Sequence, residues 1–244
     1  MIKALHRLLG RASAFDHESA QRHELADNLL WLKRNQDALS KALEMADAGS
    51  HEPNVFTRLL VDEFFAGDSR QWADFMCFIT GRAVLDIGSG PLTPLAFWPW
   101  ARVRYVIDPL ADAYSGAAFA VTGRSWFDQM RVYSVQAEDH IRALASAIDG
   151  AIVCRNALDH ARDPYAILSN IASYAAPECR LLLWTDLHHL GQRDNLHTDI
   201  TDDRDGFRRH VGQLGFEILG ETTPRMGRNT IEFGCLAMKR RVSP

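Results

Sequence analysis

From Arg82 onwards the chain alternates short apolar runs with segments of helical periodicity, and this alternation constrains its fold more than any other feature. The apolar runs span residues 83–87, 103–107, 131–135, 151–154 and 180–184. Helical segments lie between them at 111–121, 138–147 and 165–175. Strands that alternate with helices predict a parallel sheet, and the near-continuous hydrophobicity of the runs indicates burial on both faces. The sequence therefore predicts an α/β fold with a doubly wound sheet.

The C-terminal part of the chain has a different pattern. Residues 202–214 predict a helix that Gly215 ends. Two strand-like runs follow, at 216–219 and 230–238, with turn residues and no helical segment between them. Two strands joined without a helix pair antiparallel. The sequence therefore predicts a seven-stranded sheet with an antiparallel C-terminal strand.

The first 80 residues read as helical throughout. A heptad-like stripe with alternating steps of four and three, apolar except for Gln36, ends near Gly49 and Pro53. It comprises Leu25, Leu29, Leu32, Gln36, Leu39, Leu43 and Ala46. The stripe fits either a helix packed on its own domain or the seam of a coiled-coil homodimer. Further helices are expected at 55–65 and 70–79. We therefore expect an N-terminal helical extension or lid at residues 1–80, followed by a core domain at 81–244.

Charge and cysteine usage exclude several classes of function. Lys and Arg number 27 against 31 Asp and Glu, a formal net charge of −4, and this argues against a nucleic-acid partner. The four cysteines form no C-x-x-C pair, so we expect neither a zinc site nor a thioredoxin-like redox site. No secretory signal and no apolar run of transmembrane length is found, so we expect a cytoplasmic protein.

A strand that runs into a glycine-rich turn is the most informative motif. Residues 83–91 (AVLDIGSGP) place Gly88 and Gly90 directly after a buried strand, where backbone N–H groups can approach a ligand closely. Asp108 ends the next strand, 22 positions after Asp86, the spacing of a carboxylate that binds ribose hydroxyls. Together these features indicate an adenosine-containing ligand. A plain tight turn with a capping aspartate is the alternative.

With these residues in view, the chain resembles the class I S-adenosylmethionine-dependent methyltransferases of the small-molecule subgroup, which have a Rossmann-like fold. The resemblance covers about residues 80–240. It rests on VLDIGSGP at 84–91, IDPL at 107–110, QAEDH at 136–140, GAIVCRNALDHARDPYAIL at 150–168 and RLLLWT at 180–185.

The resemblance implies S-adenosylmethionine as cofactor and assigns its site residue by residue. The methionine end of the cofactor would be lined by Asp86, Gly88, Ser89 and Gly90. The ribose would be held by Asp108, and the adenine would contact Leu110, Gln136, Ala137 and Glu138. The sulfonium and the carboxylate tail would lie beside Arg155 and Asn156.

The chain departs from the family pattern at three places. Leu92 stands where the turn usually has a third glycine, and Gln136 replaces the usual acid. Prolines 91, 94 and 99 crowd the first crossover, which predicts a short or irregular helix there, because proline breaks a helix interior.

Three histidines follow the fifth predicted strand. His188, His189 and His197 fall in a segment that leaves the carboxyl end of this strand, and histidine is the usual general base near neutral pH. They are our candidates for deprotonating a hydroxyl acceptor. The alternative is a polar, solvated loop, and no recognised metal-ligand motif is present.

These inferences predict an enzyme that transfers a methyl group to a small-molecule or glycan-type acceptor, at oxygen. Two alternatives stay open: a nicotinamide-dependent oxidoreductase, and a non-catalytic binding or scaffold protein with the same sheet. Thr93 stands where a dinucleotide-binding turn needs a small residue, which argues against the oxidoreductase.

Overall fold

A computed structural model describes residues 17–189, 198–200, 203–222 and 230–241, with the backbone alone at residues 17–24 and 189. Its helices are α1 (His17–Arg34), α2 (Gln36–Asp47), α3 (Arg58–Phe64), α4 (Ser69–Ile79), α5 (Ala111–Thr122), α6 (Pro164–Tyr174) and α7 (Arg204–Gln213). Its strands are β1 (Ala83–Ile87), β2 (Val103–Ile107), β3 (Arg131–Tyr133), β4 (Ala151–Arg155), β5 (Arg180–His189), β6 (Phe216–Glu221) and β7 (Thr230–Lys239).

The strands form one seven-stranded sheet in the order β3-β2-β1-β4-β5-β7-β6. Strands β1 to β5 pair in parallel, whereas β7 runs antiparallel to both β5 and β6. The predicted parallel sheet and its antiparallel C-terminal strand are therefore confirmed. The strand order reverses between β1 and β4, and in an open α/β sheet ligands bind outside the carboxyl ends of the strands at this switch point.

Each face of the sheet is covered by its own hydrophobic core. On one face, Val84 and Val153 belong to the same cluster as Leu32, Leu39 and Met76 of the N-terminal helices. The stripe residues Leu32 and Leu39 are fully buried within the chain itself, which favours packing on its own domain over a coiled-coil seam. The boundary at residues 80 and 81 stays a prediction.

The other face of the sheet is covered by α6 and α7. Leu85 and Ile152 belong to a cluster with Ile171 of α6 and Phe207 of α7. Because both faces are covered, β1 is buried along its whole length, which explains why four of its five residues are apolar.

Several predicted elements differ in the structure. The stripe is divided into α1 and α2 by a turn at Asn35. β3 ends at Tyr133, β5 continues to His189, and the helix predicted at 55–65 begins only at Arg58. As predicted, the proline-rich crossover contains only a short 3-10 helix, Pro94–Phe97.

The helix predicted at 138–147 is wrong: this segment contains one 3-10 turn, Arg142–Leu144. Its backbone groups bond to side chains of α6 instead. The Ile141 N–H donates to the Tyr174 hydroxyl at 2.8 Å, and the Asn170 side chain donates to the carbonyls of Ala137 and Glu138, each at 2.9 Å. These contacts override local helix propensity.

Among the described residues, no helix has both the length and the hydropathy needed to cross a membrane.

Candidate active site

The turn after β1 lies at the switch point of the sheet and requires glycine. Gly88 and Gly90 have φ angles of +68° and +57°, a region that residues with a side chain rarely adopt. A Cβ atom added at Gly88 would lie 2.3 Å from the Cβ atom of Ala157, whereas one at Gly90 would meet nothing within 4 Å. The backbone at Gly88 is therefore pressed against the loop that follows β4.

Two cavities meet over this turn, and Gly88 and Asn156 line both of them. The larger cavity has a volume of about 380 Å³ and lies between the carboxyl ends of β1 and β4 and the N-terminal helices. The smaller has a volume of about 70 Å³ and lies beside the ends of β2 and β3. The structure therefore forms a two-lobed crevice at the edge where the topology predicts a ligand.

Asp86 lines the larger cavity and has a buried carboxylate oxygen without a hydrogen-bond partner in the described part of the chain. The residue is 3% exposed, and its Oδ2 atom has no hydrogen-bond partner among the described residues. Burial, together with the charge of Asp108, raises the pKa of Asp86 to about 7, although the Thr93 side chain and the charge of Arg155 act in the opposite direction. A buried polar atom without a partner is uncommon, and its position suits a cationic ligand group.

Asp108 connects the end of β2 to the glycine turn. Its Oδ2 atom accepts a hydrogen bond from the Gly90 N–H at 2.9 Å, and its Oδ1 atom accepts one from the Leu110 N–H at 2.8 Å. Burial raises the pKa of Asp108 to about 6, although these hydrogen bonds act in the opposite direction. Each carboxylate oxygen can accept more than one hydrogen bond, so the residue can still bind a pair of hydroxyl groups.

Arg155, at the end of β4, extends into the larger cavity and is paired with Glu63 of α3. The Nε and Nη2 atoms of Arg155 lie 2.8 and 2.9 Å from the two carboxylate oxygens of Glu63. The guanidinium carbon also lies 5.5 Å from the centre of the Trp184 ring. Burial lowers the pKa of Arg155, and the charge of Asp86 acts in the opposite direction. Since a guanidinium carries five N–H donors, Arg155 can bind a second anionic group while paired.

Asn156 lies at the junction of the two cavities in a left-handed backbone conformation, with φ of +54°. Its N–H donates to the Trp184 carbonyl at 2.8 Å, and its side-chain nitrogen lies 3.4 Å from Nε2 of His160. Asparagine tolerates this conformation better than most residues, and such backbone strain is concentrated at ligand-binding sites.

The residues assigned to the adenine all line the smaller cavity: Leu110, Gln136, Ala137 and Glu138. The Asn170 side chain donates hydrogen bonds to the backbone carbonyls of Ala137 and Glu138. The Oε1 atom of Glu138 also accepts hydrogen bonds from the N–H groups of Arg162 and Asp163, at 2.9 and 3.4 Å. Ser89 lines the larger cavity instead, and its hydroxyl donates to the Gly90 carbonyl at 3.1 Å.

The structure describes the three candidate general bases only in part. His188 and His189 end β5, and their backbones pair with Ile231 and Thr230 of β7. His188 is partly buried and is not among the residues that line the two cavities. The side chain of His189 and the whole of His197 lie outside the described residues, so their role as a base stays a prediction. Within the described ranges, no group of three or more side chains could hold a metal ion.

Residues of the N-terminal helices and of the turn before α3 form one wall of the larger cavity, and sequence reasoning did not identify them as site residues. The wall consists of Asn28, Trp31, Phe56, Leu59 and Leu60. Their only sequence signal is weak: Trp31 is an aromatic residue next to the apolar stripe rather than within it.

No protein-family model matches the chain, and no curated protein sequence matches it. Solved structures do match. An S-adenosylmethionine-dependent methyltransferase from Mesorhizobium loti aligns with a TM-score of 0.50 and 11% identity, over 69% of this chain and 97% of that one. The methyltransferase CalH, in complex with SAH, aligns with a TM-score of 0.51 and 14% identity, over 68% of this chain and 54% of that one. At such identities the likeness shows the fold, and the chain therefore has the fold of the class I S-adenosylmethionine-dependent methyltransferases.

Proposed function

We propose that this protein is a methyltransferase that uses S-adenosylmethionine as its methyl donor. The observation that carries the proposal is the two-lobed crevice across Gly88. One lobe is lined by Asp86, whose Oδ2 atom is buried without a hydrogen-bond partner from the described residues, and the other is lined by Asp108. A ligand with an amino-acid end and an adenosine end matches this division.

The residues present fit such a cofactor. Ionised Asp86 can accept a hydrogen bond from the ammonium group of the amino-acid end, and Arg155 retains N–H donors for its carboxylate. Asp108 can accept hydrogen bonds from the ribose hydroxyls. Gln136 can accept a bond from the adenine amino group through its neutral carbonyl, so the cavity does not need the acid that is usual there.

The chemistry required of the chain is mainly orientation. S-adenosylmethionine, when bound, supplies a methyl group that its sulfonium already activates. The protein must hold the acceptor atom in line with that group and exclude water, which lowers the barrier by up to about 7–11 kcal/mol in favourable cases. The wall formed by the N-terminal helices closes the larger cavity on the side away from the sheet, and we propose that it also forms part of the acceptor site.

We further propose that the acceptor is a small molecule, with glycans included, and that the target atom is a hydroxyl oxygen. The histidines at 188, 189 and 197 are the proposed source of a general base. This is supported by the position of β5, which ends at the same edge of the sheet as the two cavities. The acidic net charge supports an acceptor other than nucleic acid. Four free cysteines, with Cys77 exposed, support a reducing compartment such as the cytoplasm.

The test is calorimetric titration of the full chain with S-adenosylhomocysteine and, separately, with NAD. We expect S-adenosylhomocysteine to bind with 1:1 stoichiometry and NAD not to bind. Binding of NAD alone would reverse the proposal in favour of an oxidoreductase.

A turnover assay then separates an enzyme from a binding protein. S-adenosylhomocysteine release from S-adenosylmethionine would be followed over a panel of hydroxylated metabolites and sugar nucleotides. Release above the acceptor-free background supports catalysis, whereas binding without release over the whole panel would contradict it.

A further inference from the structure

Three aromatic side chains form a row along the larger cavity. The Trp31 and Phe56 rings meet edge to face with their centres 5.8 Å apart. The Phe56 and Phe97 rings lie nearly parallel, at 5° and 5.9 Å. All three line the cavity, and Trp31 is 37% exposed, so this row runs from the cavity mouth toward the sheet.

The rest of this wall is also apolar. Leu59 and Leu60 line the cavity beside the row, and Leu92 lines it from the glycine turn. Two of the lining side chains, Leu59 and Trp31, are 50% and 37% exposed. A concentration of exposed apolar side chains at the rim of a cavity marks a binding site for an apolar ligand surface.

Polar groups are few on this side of the cavity. Among the described lining residues, Asn28 is the one polar side chain that the N-terminal helices contribute. Its Nδ2 atom donates to the Tyr114 hydroxyl at 2.9 Å, and its amide oxygen is a hydrogen-bond acceptor. The charged lining groups, Asp86 and Arg155, lie at the sheet side, and Arg155 is paired with Glu63. This wall therefore offers little to a ligand rich in hydroxyl or phosphate groups.

From these observations we propose that the acceptor is a neutral aromatic molecule that carries a hydroxyl group, bound with its ring against Trp31 and Phe56. The proposal rests on the proposed function and narrows its acceptor class. Aromatic pairs stabilise a complex beyond the area that they bury. A sugar would leave most of its hydroxyl groups without partners against this wall, which costs binding free energy.

The acidity of a phenol also suits this site. A phenolic hydroxyl has a pKa near that of tyrosine, about 10, so about one molecule in a thousand is ionised at pH 7 without any base. The proton passes to the proposed histidine base or to solvent, and the phenolate oxygen forms the bond to the methyl carbon. The carbon–sulfur bond breaks, and its electron pair stays on sulfur, which becomes the neutral thioether of S-adenosylhomocysteine.

The test measures binding of 2-naphthol to the protein saturated with S-adenosylhomocysteine, by calorimetry. Methyl α-D-glucopyranoside and UDP-glucose are the comparison ligands. We expect one site for 2-naphthol and no measurable binding of the two sugars. Trp31→Ala should weaken 2-naphthol binding about tenfold or more, whereas Trp31→Phe should weaken it by less than about threefold because a ring is retained.

Leu219→Ala is the matched control, because Leu219 is also an exposed hydrophobic side chain but lies on the edge strand β6. It should leave 2-naphthol affinity unchanged. The inference is overturned if either sugar binds more tightly than 2-naphthol, or if Trp31→Ala binds 2-naphthol as the wild type does. If Trp31→Ala does not fold, Phe56→Leu replaces it in the test, and this variant should also weaken 2-naphthol binding.

The outcome for the proposed function is read separately. Absence of S-adenosylhomocysteine binding would overturn the methyltransferase proposal and, with it, this inference. Normal S-adenosylhomocysteine binding without a 2-naphthol site would overturn the aromatic acceptor alone.

Discussion

Glu63 and Arg155, 92 residues apart in the chain, form a two-point ion pair that connects helix α3 to the carboxyl end of β4. The Arg155 side chain is 29% exposed and that of Glu63 is 10% exposed. The pair joins α3, which supplies Leu59 and Leu60 to the wall of the larger cavity, to a residue proposed to bind the cofactor carboxylate. A displacement of α3 would therefore alter both this wall and the position of Arg155.

Glu63→Gln should lower the free energy of unfolding by roughly 1–3 kcal/mol. The change leaves a largely buried guanidinium without its counter-charge, and the partial exposure of the pair reduces the cost below that of a fully buried one. Urea unfolding at pH 7 would measure the difference. Asp47→Asn, which removes the exposed partner of Arg124, is the control and should cost less than about 1 kcal/mol. Equal losses in the two variants would contradict the prediction.

Asp86 should make the protein less stable as pH rises from about 4 to about 7. Its pKa is raised from 3.8 in the unfolded chain to about 7 in the folded one, so between these values the folded state holds a proton that the unfolded state releases. Raising the pH therefore favours unfolding, by roughly 2–4 kcal/mol over this window. Urea midpoints measured from pH 4 to 8 should fall in the wild type and fall less in Asp86→Asn. Parallel profiles would show that Asp86 is not the group responsible.

The affinity for S-adenosylhomocysteine should rise with pH through the same group. Only ionised Asp86 attracts the ammonium group of the ligand, so below pH 7 affinity should drop by up to about tenfold per pH unit. Calorimetry between pH 6.5 and 8 measures this effect in the wild type and in Asp86→Asn, which should bind weakly at every pH. Adenosine lacks the ammonium group and should bind with little change over this range. A pH dependence shared by both ligands would point to another group.

Two glycine variants separate steric exclusion from backbone strain. Gly88→Ala places a Cβ atom 2.3 Å from that of Ala157 at a positive φ, so we expect a loss of roughly 2–5 kcal/mol in unfolding free energy and no S-adenosylhomocysteine binding. Gly90→Ala has the strain without the clash and should cost about 1–2 kcal/mol. Thermal and urea unfolding would rank the two. Equal costs would argue that the contact with Ala157 relaxes freely.

Asn170→Ala should loosen the loop that lines the smaller cavity. The variant removes the donor that holds the Ala137 and Glu138 carbonyls, which costs roughly 1–3 kcal/mol and weakens binding at the adenosine end. Hydrogen exchange of residues 136–141 should speed up, and adenosine affinity should fall. Ser169→Ala, on the exposed side of the same helix, is the control and should change neither. Unchanged exchange in Asn170→Ala would contradict this role.

The parts of the fold that sequence reasoning predicted are those governed by local chemistry. An apolar run and the glycine turn after it predict the buried strand before Gly88. The next apolar run predicts the strand that ends at Asp108. Each of these signals lies within a few residues. Prolines near the first crossover likewise predicted its short 3-10 helix. The helix expected at 138–147 failed because side chains of α6, more than twenty residues away, bond its backbone.

The individual residues of the proposed acceptor side could not be predicted, although a helical lid was expected, because they depend on contacts between distant segments. Trp31 and Phe56 meet Phe97 only after the N-terminal helices pack on the sheet. No residue pattern within either segment predicts that these aromatic side chains come into contact. The same holds for Glu63, because three strands separate it in the sequence from its partner Arg155.

Gly88 and Asn156 line both lobes and therefore lie at the boundary between them. A ligand that spans this boundary consists of two covalently linked parts, one in each lobe. Adenosine and homocysteine would then occupy separate compartments, and the covalent link between them would raise affinity through effective concentration rather than through added contacts. Inhibitors for this crevice could accordingly be assembled from two weak pieces, with the length of the connecting atoms as the quantity to optimise.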